Sequence, residues 1–192
     1  MARQISRMLP LGTPAPAFAL PDTVTGRTVA VGDLASSPLL LVAFICNHCP
    51  FVKHILDGFV TFARDFAPRG LAVVAISSND IVSHPDDAPA QMARIAGSKG
   101  FTFPYLYDES QEVAKAYQAV CTPDFFLFDR DRRLVYRGQF DASRPGNGIP
   151  VTGADMRAAC DALLAGRPLT REQTPAVGCS IKWQAGREPD WT

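Results

Sequence analysis

Two cysteines, Cys46 and Cys49, stand in "LLLVAFICNHCPFVKHILDGF", where an apolar run ends and an amphipathic pattern begins. Four uses suit such a pair: attack on disulfides, reduction of peroxides, a share in a metal site, or packing. A CxxC at a helix start lets both sulfurs meet without distortion, the first exposed at the helix tip and the second more buried. The free amides and dipole of a helix N-terminus favour a thiolate. Such surroundings lower a cysteine pKa from about 8.5 into a range of roughly 3.5–7.5. Cys46 is then the expected nucleophile, and Cys49 the resolving thiol that closes the disulfide and releases the substrate. Pro50 suits the first helical turn, where its missing N–H costs nothing. His48, as a cation, would stabilise the Cys46 thiolate and make the disulfide more oxidising; otherwise it faces water.

A zinc site would call for a second such pair, and Cys121, Cys160 and Cys179 are isolated in the sequence. No metal and no cofactor is expected. Cys160 falls on the stripe Met156, Ala159, Cys160, Leu163 and reads as core.

The elements that must position the pair follow from periodicity. "VAVGDL", from Val29, reads as a short strand and a turn. "LLLVAFI", Leu39 to Ile45, is apolar at every position, as a central strand buried on both faces would be. Val52, Ile55, Leu56, Phe59, Phe62, Ala63 and Phe66 form one helical stripe that stops near Pro68 and Gly70. "LAVVAIS", Leu71 to Ser77, completes a βαβ unit, with a right-handed crossover expected. A polar loop, Ser78 to Pro89, precedes a helix in "AQMARIAGSKG". "FPYLYD" reads as a strand and "SQEVAKAYQA" as a helix that Ser110 could cap. "DFFLFD" and "RLVYRG" read as a hairpin, and a last helix covers about Ala154 to Ala165. The order is β-α-β-α-β-α-β-β-α in one domain, 1–192, with an irregular tail from about 167 wrapping the surface. The pair lies at the C-terminal end of a central strand, where open α/β sheets place their chemistry.

Composition narrows the classes. The chain has 192 residues, with 19 Lys and Arg balancing 19 Asp and Glu, so charge gives no argument for nucleic acid or an anionic membrane. The N-terminal segment has no apolar run of signal type, and Pro38 to Cys46 is too short to span a bilayer. The expectation is a cytoplasmic protein whose five cysteines stay reduced unless they are functional.

"PAPAF", "FICNHCPFV", "VCTPDFFLFD" and "GCSIKW", spread over almost the whole chain, resemble the thioredoxin superfamily. More closely they resemble the peroxiredoxin-like branch of the alkyl-hydroperoxide-reductase and thiol-specific-antioxidant family that carries a CxxC. The resemblance implies an α/β, thioredoxin-like fold, a central mixed sheet flanked by helices. It implies that Pro123 is the cis-proline facing the CxxC, with Thr122 backbone groups free to pair with a bound peptide; the other reading is a trans proline at a strand start. Aligning Cys49 with the peroxidatic cysteine puts Cys46 where those enzymes carry a hydroxyl and Val42 where they carry a proline. Their arginine has no counterpart around Cys121 to Asp124. Thioredoxin's buried aspartate has none in "LLLVAFI", so Glu109, Asp80 or water would handle the Cys49 proton. Copper-delivering members have three residues between their cysteines and a distant histidine, unlike this chain. Under this fold Cys121 approaches the CxxC, as a relay or as packing. Cys179 is a second resolving cysteine or a free thiol.

The leading expectation is a thiol–disulfide oxidoreductase cycling Cys46 and Cys49, acting on a protein or small-molecule disulfide with a thiol electron donor. A thiol-dependent peroxidase is the alternative, and a non-catalytic metal- or partner-binding module the second.

Overall fold

The computed structural model describes residues 3–170 and 172–191. In chain order the strands and helices are β1 (Arg3–Ile5), β2 (Ala19–Pro21), β3 (Thr28–Ala30), β4 (Leu39–Phe44), α1 (Pro50–Phe66), β5 (Leu71–Ser77) and α2 (Pro89–Lys99). Then come β6 (Tyr105–Tyr107), α3 (Glu112–Ala116), β7 (Cys121–Thr122), β8 (Asp124–Phe128), β9 (Leu134–Arg137), α4 (Ala154–Leu164) and β10 (Val177–Ser180). The central sheet has the order β6-β5-β4-β8-β9, with β2 and β3 paired apart from it. β4 is parallel to β5, Val42 opposite Val74, and antiparallel to β8, Val42 opposite Phe126. The sheet is therefore mixed.

β4 explains the unbroken apolar run. Leu39, Leu41 and Ala43 point to the side packed by Val52, Phe59, Phe62 and Phe66 of α1. Leu40, Val42 and Phe44 point the other way, against Tyr117, Phe126 and Phe128. With both faces covered, no position of the strand can be polar. Burying each such side chain stabilises the fold by about 1.5–3 kcal/mol. α1 begins with Pro50 at its first position and Cys49 as its N-cap. A 3-10 turn, Ala67–Arg69, and Gly70 at φ 105° end it where the Pro–Gly signal falls.

Two local expectations are corrected, and one strand has no counterpart among them. Ser110 is not the cap of α3: Gln111 is, at φ 65°, and the Asp108 carboxylate accepts from the Ala114 amide at 2.9 Å. β1 was unread, because its three residues are exposed. The tail does not merely wrap the surface. β10 lies between β1 and β7, and Ala176, Cys179 and Ile181 are buried. Four residues of the type "VGCS" carry no alternation, so only their backbone partners reveal the strand. Among the described residues, no helix is long and apolar enough to cross a membrane.

Candidate active site

β4 runs out at Phe44, and α1 starts at Pro50 with five residues between, so the CNHC loop is pinned between a buried strand and a helix N-terminus. Both sulfurs are inside: Cys46 is 2% exposed and Cys49 0%. The expected exposed first sulfur is thus a buried one, and the loop after Cys46 is tied down on a distant acid.

That acid is Asp87, fully buried in the Ser78–Pro89 loop. Its Oδ1 accepts the Asn47 and His48 amides at 2.7 and 3.2 Å. Its Oδ2 meets His48 Nδ1 at 2.6 Å and accepts from Asn79 Nδ2 at 2.7 Å. Burial alone would raise the Asp87 pKa, but the hydrogen bonds from His48 and Asn79 win, and it lies below its ordinary value. Asn47 is held from its other side by the Tyr105 hydroxyl, at 3.1 Å, and donates to the Asp86 carbonyl at 2.8 Å. His48 does not face water. Its side chain is 11% exposed, its ring lies 4.6 Å from that of His84, and its Nε2 is buried without a partner.

Cys46 Sγ lies 3.2 Å from the Thr122 hydroxyl. Cys49 Sγ lies 3.1 Å from the Thr122 carbonyl and 2.9 Å from Cys179 Sγ. The hydrogen bond that Cys46 gives to Cys49, then burial and the Asp87 charge, hold the Cys46 pKa well above that of a free thiol. The same hydrogen bond lowers Cys49 to about 5, against burial and with help from Cys179 and the Val52 amide. The Cys49 side chain makes no full cap hydrogen bond, and the Thr122 carbonyl favours the thiol. The contact between the two sulfurs is the largest cause of both shifts, and its direction favours the charge on Cys49 over Cys46. The sequence expectation places the thiolate on Cys46 instead. Access runs the other way: a cavity of about 230 Å3, walled by Val52, Leu56, Ile95 and Phe101 with Lys53 and Lys99 among its lining, reaches Cys46.

The Thr122–Pro123 peptide is cis. The Thr122 backbone is not free, because β7 pairs with β10, Cys179 opposite Thr122. Cys121 does not join the sulfur cluster. Neighbouring residues of a strand point to opposite faces, and with Thr122 turned to Cys46, Cys121 points to the Pro123 carbonyl at 3.6 Å. Burial, then Asp124, pushes its pKa well up. Asp80 is bound by Ser83 and its own loop, and neither it nor Glu109 touches a sulfur. A buried acid does adjoin β4: Asp124 on β8, opposite Phe44, pushed up to about 7 by burial and accepting from Ser6 at 2.6 Å. Ligand atoms of Cys46, His48 and Asp87 lie within 4.8 Å of one another, the one set among the described residues that could hold a metal. Both Asp87 oxygens are already committed to nitrogen partners, so an ion there would have to displace them. Sequence reasoning missed Asn47, Asp87 and Tyr105. An acid in the polar loop Ser78 to Pro89 was the available signal for Asp87.

A mixed sheet with a CxxC at the strand-to-helix junction and a cis-proline beside it defines a thioredoxin-like protein. Solved structures at low identity share that fold: a peroxidoxin of Mycobacterium tuberculosis (TM-score 0.61, 22% identity, 82% of this chain and 97% of that one) and a thiol:disulfide interchange protein of Chlorobium tepidum (TM-score 0.61, 18% identity, 80% and 97%). Residues 11–137 match the AhpC/TSA family, and the chain belongs to that family. A protein of Mycobacterium tuberculosis named "Putative peroxiredoxin" is 32% identical over 114 residues, 59% of this chain and 66% of that protein. The chain thus spans just under two thirds of that relative. An uncharacterized conserved protein from Geobacillus kaustophilus is similar throughout, with TM-score 0.95 and 54% identity over 97% of this chain and 98% of that one.

Proposed function

We propose that the protein is a thiol–disulfide oxidoreductase that cycles Cys46 and Cys49 between dithiol and disulfide. The observation that carries this is the placement of Cys46 and Cys49 between the end of β4 and the start of α1, with both sulfurs against Thr122 beside the cis Pro123; a Cys49 pKa lowered to about 5 and a raised Cys46 pKa agree with it. A compact disulfide entering the apolar cavity meets Cys46. Cys46 passes its proton to Cys49 and attacks one substrate sulfur, and the other leaves as thiolate. Cys49 then loses its proton to that leaving sulfur and attacks Cys46 Sγ. The mixed disulfide breaks, the second substrate thiolate departs, and Cys46–Cys49 is closed. His48, clamped by Asp87, holds the loop in the geometry for both steps. A thiol donor restores the dithiol, and a cytoplasmic setting would supply one.

The test is trapping. Cys49→Ser incubated with glutathione disulfide should accumulate a mixed disulfide on Cys46, and Cys46→Ser should accumulate far less. Equal trapping on both variants would sink the assignment.

Peroxide reduction is the second reading. The AhpC/TSA match favours it, as does the Thr122 hydroxyl 3.2 Å from Cys46, which supplies from another strand a group the local sequence lacks. Against it, no arginine hydrogen-bonds either sulfur among the described residues. Stopped-flow mixing with hydrogen peroxide decides: oxidation no faster than that of a free low-molecular-weight thiol excludes this reading.

A further inference from the structure

The sheet edge beside the CxxC is already occupied. β10 pairs with β7, Cys179 opposite Thr122 and Ser180 opposite Cys121, and the Ile181 amide continues the pairing to the Val120 carbonyl at 3.0 Å. Gly178 permits the approach: a Cβ there would stand 2.0 Å from the Thr122 oxygen and 2.5 Å from its carbonyl carbon. These are backbone atoms and cannot swing aside, so glycine is required. On its other side β10 is held by β1, Arg3 opposite Cys179. The chain's own strand thus fills the edge that the fold offers to an extended peptide.

The strand brings a thiol with it. Cys179 is 3% exposed, and its sulfur lies 2.9 Å from Cys49 Sγ. A disulfide bond is about 2.05 Å long, so closing one from the 2.9 Å contact brings the two sulfurs together by about 1 Å. Cys49 is thereby flanked by two thiols, Cys46 and Cys179.

We propose that Cys179 is a third redox thiol, carried on a built-in substitute for the substrate strand, which exchanges with the Cys46–Cys49 disulfide. This rests on the reading of Cys46 and Cys49 as a redox pair. In the exchange the Cys179 sulfur attacks Cys49 Sγ. The Cys49–Cys179 bond forms and the Cys46–Cys49 bond breaks. The electron pair leaves on Cys46, which takes up the proton that Cys179 releases. One disulfide replaces another, so no outside oxidant or reductant is used. The oxidised bond is then stored behind the loop, and Cys46, the sulfur on the cavity, is again a thiol. With the edge filled, the substrate class is a compact disulfide that fits the cavity, not an extended peptide.

Tryptic cleavage makes the exchange readable: residues 28–53 contain both Cys46 and Cys49, and residues 172–182 contain Cys179. Cys46→Ser, oxidised with one equivalent of diamide and digested without reduction, should carry most of its 172–182 peptide joined to 28–53. If Cys49 and Cys179 instead both stay alkylatable in that variant, the proposal is overturned. Cys46→Ala gives the same readout should the serine variant lose its native circular dichroism. Wild-type protein treated alike separates the two claims. No disulfide within 28–53 in wild type, even at short times, removes the redox pair and the exchange with it. A disulfide within 28–53 in wild type, without the joined peptides in either variant, removes Cys179 alone. A joined peptide that also builds up in wild type at the expense of the internal disulfide supports the exchange step.

Discussion

All five cysteines are buried, yet they fall into two groups. Cys46 and Cys49 both touch Thr122, and Cys49 also lies 2.9 Å from Cys179. Among the described residues, Cys121 and Cys160 hydrogen-bond no other sulfur; burial pushes Cys160 up to about 12 and Cys121 well up as well. Burial also raises Cys179, to about 12. What separates the groups is therefore not exposure but a neighbour able to share the proton. Of the five cysteines, Cys49 is the one whose pKa is lowered, where a second sulfur, a third and the first turn of α1 converge.

Removing the shared sulfur should break the contrast most completely. Cys49→Ser is expected to abolish every disulfide within the chain on diamide oxidation, while Cys121→Ser and Cys160→Ser leave it unchanged by thiol counting. Retention of an internal disulfide in Cys49→Ser would put Cys46 against Cys179 directly and refute the central place of Cys49. Next comes the strand that delivers Cys179. Gly178→Ala must push against the Thr122 backbone and should cost about 2–4 kcal/mol in urea unfolding under reducing conditions. Gly97→Ala is the control: its Cβ would meet nothing within 4 Å, and it should gain roughly 0.5–1 kcal/mol in the interior of α2. Equal effects at the two glycines would mean that β10 is not tightly seated.

A smaller effect is spectroscopic. With the Cys49 pKa at about 5, reduced wild-type protein should gain thiolate absorbance in the far ultraviolet as pH rises through that value, and Cys49→Ser should not. The linkage sign follows. Cys49 is depressed, so it adds stability above the unfolded value of about 8.5, and that stability is lost as pH falls through about 5. Comparing urea midpoints of wild type and Cys49→Ser between these limits should show the wild-type advantage growing with pH. A constant gap would place the charge elsewhere. The smallest change is expected at Cys160→Ala, about 1 kcal/mol from a cavity in the core beside α1, with the redox behaviour unaltered.

The legible parts of the molecule are those whose information is local. β4 announces itself by a run with no polar residue, α1 by its stripe, and the Cys46–Cys49 pair by its spacing at their junction. Cys160 sits where its stripe puts it. The illegible parts depend on pairings far apart in the chain. Asp87 is 39 residues from His48, and Cys179 is 130 from Cys49. Neither has a periodic pattern, since one acts through a single carboxylate and the other rides on a four-residue strand recognised by backbone alone. The side of the pair that favours the charge was also illegible: spacing locates the two sulfurs, but which of them gives the hydrogen bond to the other depends on the folded loop, with Cys179 of β10 adding to the effect.

The most direct measurement is a redox titration of the wild-type protein in dithiothreitol buffers of graded oxidation, with free thiols counted by mass after alkylation. The account predicts reversible loss of two of the five thiols, the bond mapping within residues 28–53 or between that peptide and 172–182. Five thiols persisting at every ratio, or lost thiols mapping to Cys121 or Cys160, would contradict it.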